Sequence, residues 1–180
     1  MDPLTRMVEH HIWLTGEMIE RAAGLGDDQL DQPSVDGKTL RRMLSRLIGQ
    51  LDMWGRVISN QRYDWLVEQH EDVAAMRDRF AQAAPRFLAE VHEAVGGGRL
   101  DDMFINAQHD PPRVYTYGWM IEHVLTFAAH NRTMAMLALK QAGITDLSFC
   151  ISQAVGEACI DPSLSHDKPG DARGATREAR

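Results

Sequence analysis

The sequence predicts an all-α domain built as a four-helix bundle, and three observations predict it. Apolar residues recur at alternating steps of three and four along four long segments, the rhythm of a helix with one buried face. No segment shows the strict in-out alternation of a half-buried strand. The links between the four segments carry Gly, Pro, Asp and Ser where a chain turns. The chain has 180 residues, 44% of them hydrophobic and 25% charged, which suits one domain with a full core. The domain is expected over residues 1–147.

The first helix is predicted from Leu4 to Ala23, with Leu4, Val8, His11, Thr15, Met18 and Ala22 on one stripe. Gly24 and Gly26 end it, since glycine takes up the backbone geometry of helix C-termini without strain. Residues 24–38 then read as a turn-rich connector. The second helix starts after Thr39, a side chain suited to an N-cap, and reaches Asn60. Leu40, Leu44, Leu47, Leu51, Trp54 and Ile58 form its stripe.

The third helix is predicted from Val73 to Val95, its apolar face carried by Ala74, Phe80, Phe87, Val91 and Val95. Pro85 lies inside it and predicts a kink or a break, because proline lacks an N–H and crowds the preceding turn. Gly96, Gly97 and Gly98 stop it. Residues 99–116 form the longest connection, and its HDPPRVYT stretch cannot be helical throughout. Connections of that length are often functional. The fourth helix runs from Tyr117 to Gln141 and ends at Gly143, with Met120, His123, Phe127, His130, Met134 and Leu137 on its stripe. After Leu147 the rhythm stops, and residues 148–180 read as an atypical, poorly ordered tail whose last stretch, SHDKPGDARGATREAR, is polar.

Charge and composition narrow the function classes. A formal net charge of −7 argues against a nucleic-acid footprint, which needs clustered Lys and Arg. No apolar run approaches the length of a bilayer span, so no membrane partner is expected. The opening MDPLTRMVEHH lacks the basic and apolar regions of a signal peptide. Cys150 and Cys159 are the only cysteines and form no CxxC pair, which fits a reducing cytoplasm. Ser and Thr show no nucleophile elbow, and Gly96–Gly98 follows a helix rather than a strand, so it is no phosphate loop.

Three histidines interrupt the stripes: His11 on the first helix, His123 and His130 on the fourth. Inward polar groups need partners, because an unpaired buried donor costs roughly 1–3 kcal/mol. Imidazoles projecting inward from facing helices are one way a bundle builds a metal site. The second helix adds Gln50 and Asp52 near Trp54, and Asp52 is placed to ligate or to orient a ligating histidine. The same histidines can also be core residues satisfied by a neighbour or a buried water. His123 and His130 stand seven positions apart, about 10 Å along the axis, an awkward span for one ion. Trp13, Trp54 and Trp119 read as core before pocket. His10 belongs at a rim, His70, His92 and His166 in solvent, and His109 in the long loop.

The order of these features resembles the DinB/YfiT-like superfamily of metal-dependent bundle proteins. The likeness lies in HHIWLT at 10–15, TLRRMLSRLIGQLDMW at 39–54 and HNRTMAMLALKQAG at 130–143, and it covers roughly residues 4 to 147. It implies an up-down-down-up bundle with one long crossover, a homodimer and a pocket at one end. It also implies a thiol-dependent transferase or hydrolase using Zn or Ni. The family's metal triad falls here on Arg46, Phe127 and Asn131, which cannot reproduce three imidazoles. Two readings remain. Either the site has shifted to His11, His123 and His130, beside Gln50, Asp52, Trp54, Trp119 and Asn131, or the chain is a metal-free bundle that binds a small ligand or serves as a dimeric structural protein.

Overall fold

The computed structural model describes residues 2–34, 37–65 and 71–147. The expectations for the 148–180 tail, for Cys150 and Cys159, and for His70 and His166 lie outside the described residues.

Among the described residues the fold is all-α with one small hairpin. Four long helices, α1 (Pro3–Ala22), α3 (Leu40–Ile58), α4 (Val73–Gly96) and α5 (Tyr117–Gln141), are joined by the single turn α2 (Asp27–Leu30) and the antiparallel strands β1 (Met103–Asn106) and β2 (Arg113–Thr116). Each long helix opens on a short polar side chain that accepts from an otherwise unpaired N–H: Asp2 from Leu4, Thr39 from Arg42, Asp72 from Ala75 and Thr116 from Trp119. Helix α3 packs against both α4 and α5, and α1 packs against the same two.

The interior fills from every long helix. Met18, Leu44, Leu47, Ile48, Leu51, Phe87, Met120 and Val124 are sealed from water. Each such side chain contributes roughly 1.5–3 kcal/mol by leaving water. The core has two parts, one around Leu44 and Leu139 and one around Trp54 and Phe87, and Phe80 packs against both.

Four expectations need correction. The break considered at Pro85 is absent, since helix α4 continues through it. Pro85 and Ala81 are both exposed, so the Ala81 carbonyl that loses its intrahelical donor lies on the solvent side. Ala74 is also exposed, and Val73 and Met76 face inward in its place.

The third concerns the long link after α4, which contains strands where none were expected. Phe104 and Tyr115 face each other across the ladder and turn toward Trp54, while Met103, Ile105 and Val114 remain largely exposed. Four residues per strand are too few for alternation to stand out in the sequence.

The fourth concerns α5. Its buried face keeps Met120 and Met134 of the expected stripe and adds Ile121, Val124, Ala128, Asn131, Ala135, Ala138 and Leu139. Leu137 is 41% exposed and His130 is exposed. The interior of α5 therefore mixes large and small side chains, while His130 and Leu137 fall on its flank.

Candidate functional site

Helix α1 carries His11 into the interior, at 1% exposure. Arg132 of α5 reaches it with Nη1 at 2.6 Å from Nδ1. A guanidinium only donates, so Nδ1 must accept and the remaining proton sits on Nε2. Burial and then the Arg132 charge hold this imidazole down to about 3, so it is neutral. Its Nε2 is sealed with no hydrogen-bond partner among the described residues, as is Nε2 of His10. Arg132 in turn is held below the usual arginine value by burial.

His123 is half-buried in a column of rings. It stacks on Trp119 at 5.1 Å, meets Trp54 edge-on at 5.9 Å and lies 6.0 Å from Phe127. Burial lowers its pKa. Tyr115 continues the column beyond Trp119 at 4.3 Å. Trp54 is core, as expected, but Trp119 is 41% exposed.

His130 stands outside the interior, at the edge of a cleft. The three expected ligands therefore face different surroundings: a guanidinium, an aromatic column and the surface. Among the described residues no group of three or more His, Cys, Asp or Glu side chains is arranged to hold a metal ion. The shifted triad of His11, His123 and His130 is not assembled, and Zn or Ni finds no such ligand set there.

The supporting roles fail for the same physical reason, since each group is already engaged. Asp52 accepts from Arg56 at 2.7 Å and from Arg86 at 3.2 Å instead of orienting a histidine. The Gln50 amide oxygen accepts from the Trp54 indole at 3.2 Å.

What the structure does bring together is the set at Arg46, Phe127 and Asn131. They line a cleft of about 320 Å³ between α3 and α5, with Lys38, Arg42 and His130 around it and buried Met43 among its walls. Arg46 lies over the Phe127 ring at 5.6 Å and over Trp65 at 5.7 Å, a cation–π arrangement on both rings. Asn131 donates through Nδ2 to the Phe127 carbonyl at 2.8 Å, which fixes the sense of its amide. No carboxylate lines this cleft among the described residues. A divalent cation does not fit it: guanidiniums repel the ion, and Phe127 offers no donor atom.

Arg42, Lys38 and Arg132 are site residues that sequence reasoning passed over. The signal for the first two was present, since basic residues at the start of a helix oppose its dipole. Nothing in the sequence pointed to the Arg132–His11 contact, which joins residues far apart in the chain. Compared with protein-family models, curated proteins and solved structures, the chain matches none significantly.

Proposed function

We propose that this chain is a divergent, cytoplasmic DinB-like protein, an up-down-down-up four-helix bundle that binds a small organic molecule in the α3–α5 cleft without a metal ion. One observation carries the reading. The three positions onto which the family's triad falls, Arg46 on α3 and the neighbouring Phe127 and Asn131 on α5, meet at a single cleft, and the side chains there suit a ligand rather than a cation.

The helix directions support the topology. Along α3 and α4, partners advance together from Ser45–Glu71 through Asp52–Arg86 to Ser59–Glu90, as parallel helices require. Their link is then the long crossover. Glu20–Arg77 and Glu9–His92 run in opposite senses, so α1 is antiparallel to α4. His11–Arg132 and Arg21–Asp146 run in the same sense, so α1 is parallel to α5.

The homodimer belongs to the same reading. Met103, Ile105 and Val114 form exposed apolar surface on the hairpin that association would cover. Sedimentation equilibrium tests it, and a monomer at micromolar concentration removes it.

No helix among the described residues is long and apolar enough to cross a membrane.

The ligand reading is tested in two measurements on the full chain purified without a nickel column. Elemental analysis is expected to find no stoichiometric metal. A thermal-shift screen of small polar compounds is expected to find stabilising ligands whose effect disappears in His130→Trp, which crowds the cleft from an exposed position. A stoichiometric ion that is lost in His123→Ala would overturn the reading.

A further inference from the structure

The polar contacts that hold α1 in place differ in kind. Toward α4 they pair a carboxylate with a donor: Glu20 accepts from Arg77 at 2.6 Å, and Glu9 lies 3.6 Å from His92. Toward α5 an interior contact joins an imidazole to a guanidinium, His11 Nδ1 to Arg132 Nη1 at 2.6 Å. No hydrogen bond or ion pair joins Arg132 to a carboxylate among the described residues. The contact holds only while the imidazole is neutral and Nδ1 offers a lone pair.

The groups that act on His11 come from two elements. On α1 it is His10 and on α5 it is Arg132, and both disfavour a charge on His11. Its other neighbour, the Thr15 hydroxyl, is uncharged. No charged group of α3 or α4 among the described residues acts on it, and the histidine of α4, His92, faces Glu9. A proton on His11 would set an imidazolium against a guanidinium, N–H facing N–H. Swinging Arg132 toward solvent does not relieve it, because His11 is 1% exposed, its Nε2 is sealed and the charge stays buried. Relief requires the α1–α5 contact to open and admit water. The α3–α4 contact has no such weakness among the described residues. Glu71 meets Arg79 there, Asp52 meets Arg86, and α3 carries no histidine.

We propose that the His11–Arg132 contact is an acid-released latch, in which protonation of His11 parts α1 from α5 while α3 and α4 stay paired. Burial and then the Arg132 charge hold the closed imidazole down to about 3, whereas an opened one returns toward 6.5. The latch is therefore fully closed above 6.5 and loosens as pH falls toward 3. Each pH unit in that window favours the opened form by up to about tenfold. Asn131, beside Arg132, lines the α3–α5 cleft, so the turn of α5 that opens includes part of the cleft wall.

The test is native-state amide hydrogen exchange on the ¹⁵N-labelled full chain between about pH 6.5 and about pH 5. Protection factors, corrected for intrinsic exchange, should fall by up to about tenfold per pH unit for amides of α1 around His11 and of α5 around Arg132. Amides of α3 around Asp52 and of α4 around Arg86 should change far less. His11→Gln keeps an acceptor for Arg132 but does not titrate, and the fall should vanish in it. Arg132→Glu gives the imidazolium a carboxylate partner and should also abolish the fall, which supplies the test should His11→Gln not fold. His92→Gln should leave the fall as it is. Protection lost equally in all four long helices would overturn the latch, since the proton would then act on the fold as a whole. Protection that stays flat across the window would overturn it too, as would a fall that persists in His11→Gln.

Discussion

The two sides of α3 handle charge in opposite ways. Toward α4 the helix presents Ser45 and Asp52, and each meets a partner. Arg79 pairs with Glu71, both nearly buried, and also donates to Ser45. Arg86 and Arg56 share Asp52. Toward α5 the same helix presents Arg42 and Arg46 to a cleft that no described carboxylate lines. Buried opposite charges that satisfy each other hold a helix pair in one register. Toward α5, Arg46 lies over the Phe127 and Trp65 rings, a contact between a charge and apolar faces rather than between opposite charges. One side of α3 is built for the fold, and the other carries the proposed ligand cleft.

That contrast can be broken from its structural side first. Glu71→Ala leaves Arg79 with an uncompensated buried charge and should cost about 3–5 kcal/mol in urea unfolding, whereas replacing both by apolar residues of similar volume should cost far less. Next comes pH. The His11 pKa is depressed in the folded state to about 3, mainly by burial, against an ordinary value of 6.5. Between those values the unfolded chain holds the extra proton, so stability is full above about 6.5 and falls as pH drops toward 3. The slope is on the order of 1 kcal/mol per pH unit. Denaturant midpoints across that window should flatten in His11→Leu, and a slope that survives the substitution would assign the loss to other groups. Thr116→Ala, which removes the cap of α5, should cost about 1 kcal/mol by thermal unfolding. The smallest effect is expected at the cleft. Arg42→Ala should change unfolding free energy by less than about 0.5 kcal/mol, as befits an exposed side chain with no partner among the described residues. A large loss there would turn the cleft into part of the scaffold.

The frame of the molecule was legible in sequence because its signals are local. Thr39 caps α3 where predicted, and α5 spans Tyr117–Gln141 as the pattern indicates. A cap needs only a residue and the N–H three positions on. The interior of α5 was legible only in part: Met120 and Met134 face inward as the pattern indicates, but Ala128, Ala135 and Ala138 carry less apolar surface than His123, Phe127 or Leu137 and are buried in their place. The side chosen depends on how near α3 and α1 come, which no single helix encodes. The site divides the same way. Arg46, Phe127 and Asn131 could be named from the resemblance, and they do share a cleft. That His11 would face a guanidinium instead of other imidazoles depends on α1 lying beside α5, a relation between distant segments.

The aromatic column that runs onto α5 has a practical consequence. Tyr115, Trp119, His123 and Phe127 repeat every fourth residue, and they lead from the hairpin to the ring that Arg46 covers. Indole emission is sensitive to the rings and charges at its edges, so a molecule settling against Phe127 registers optically through Trp119 and Trp54 without any dye. The protein carries its own reporter beside its cleft.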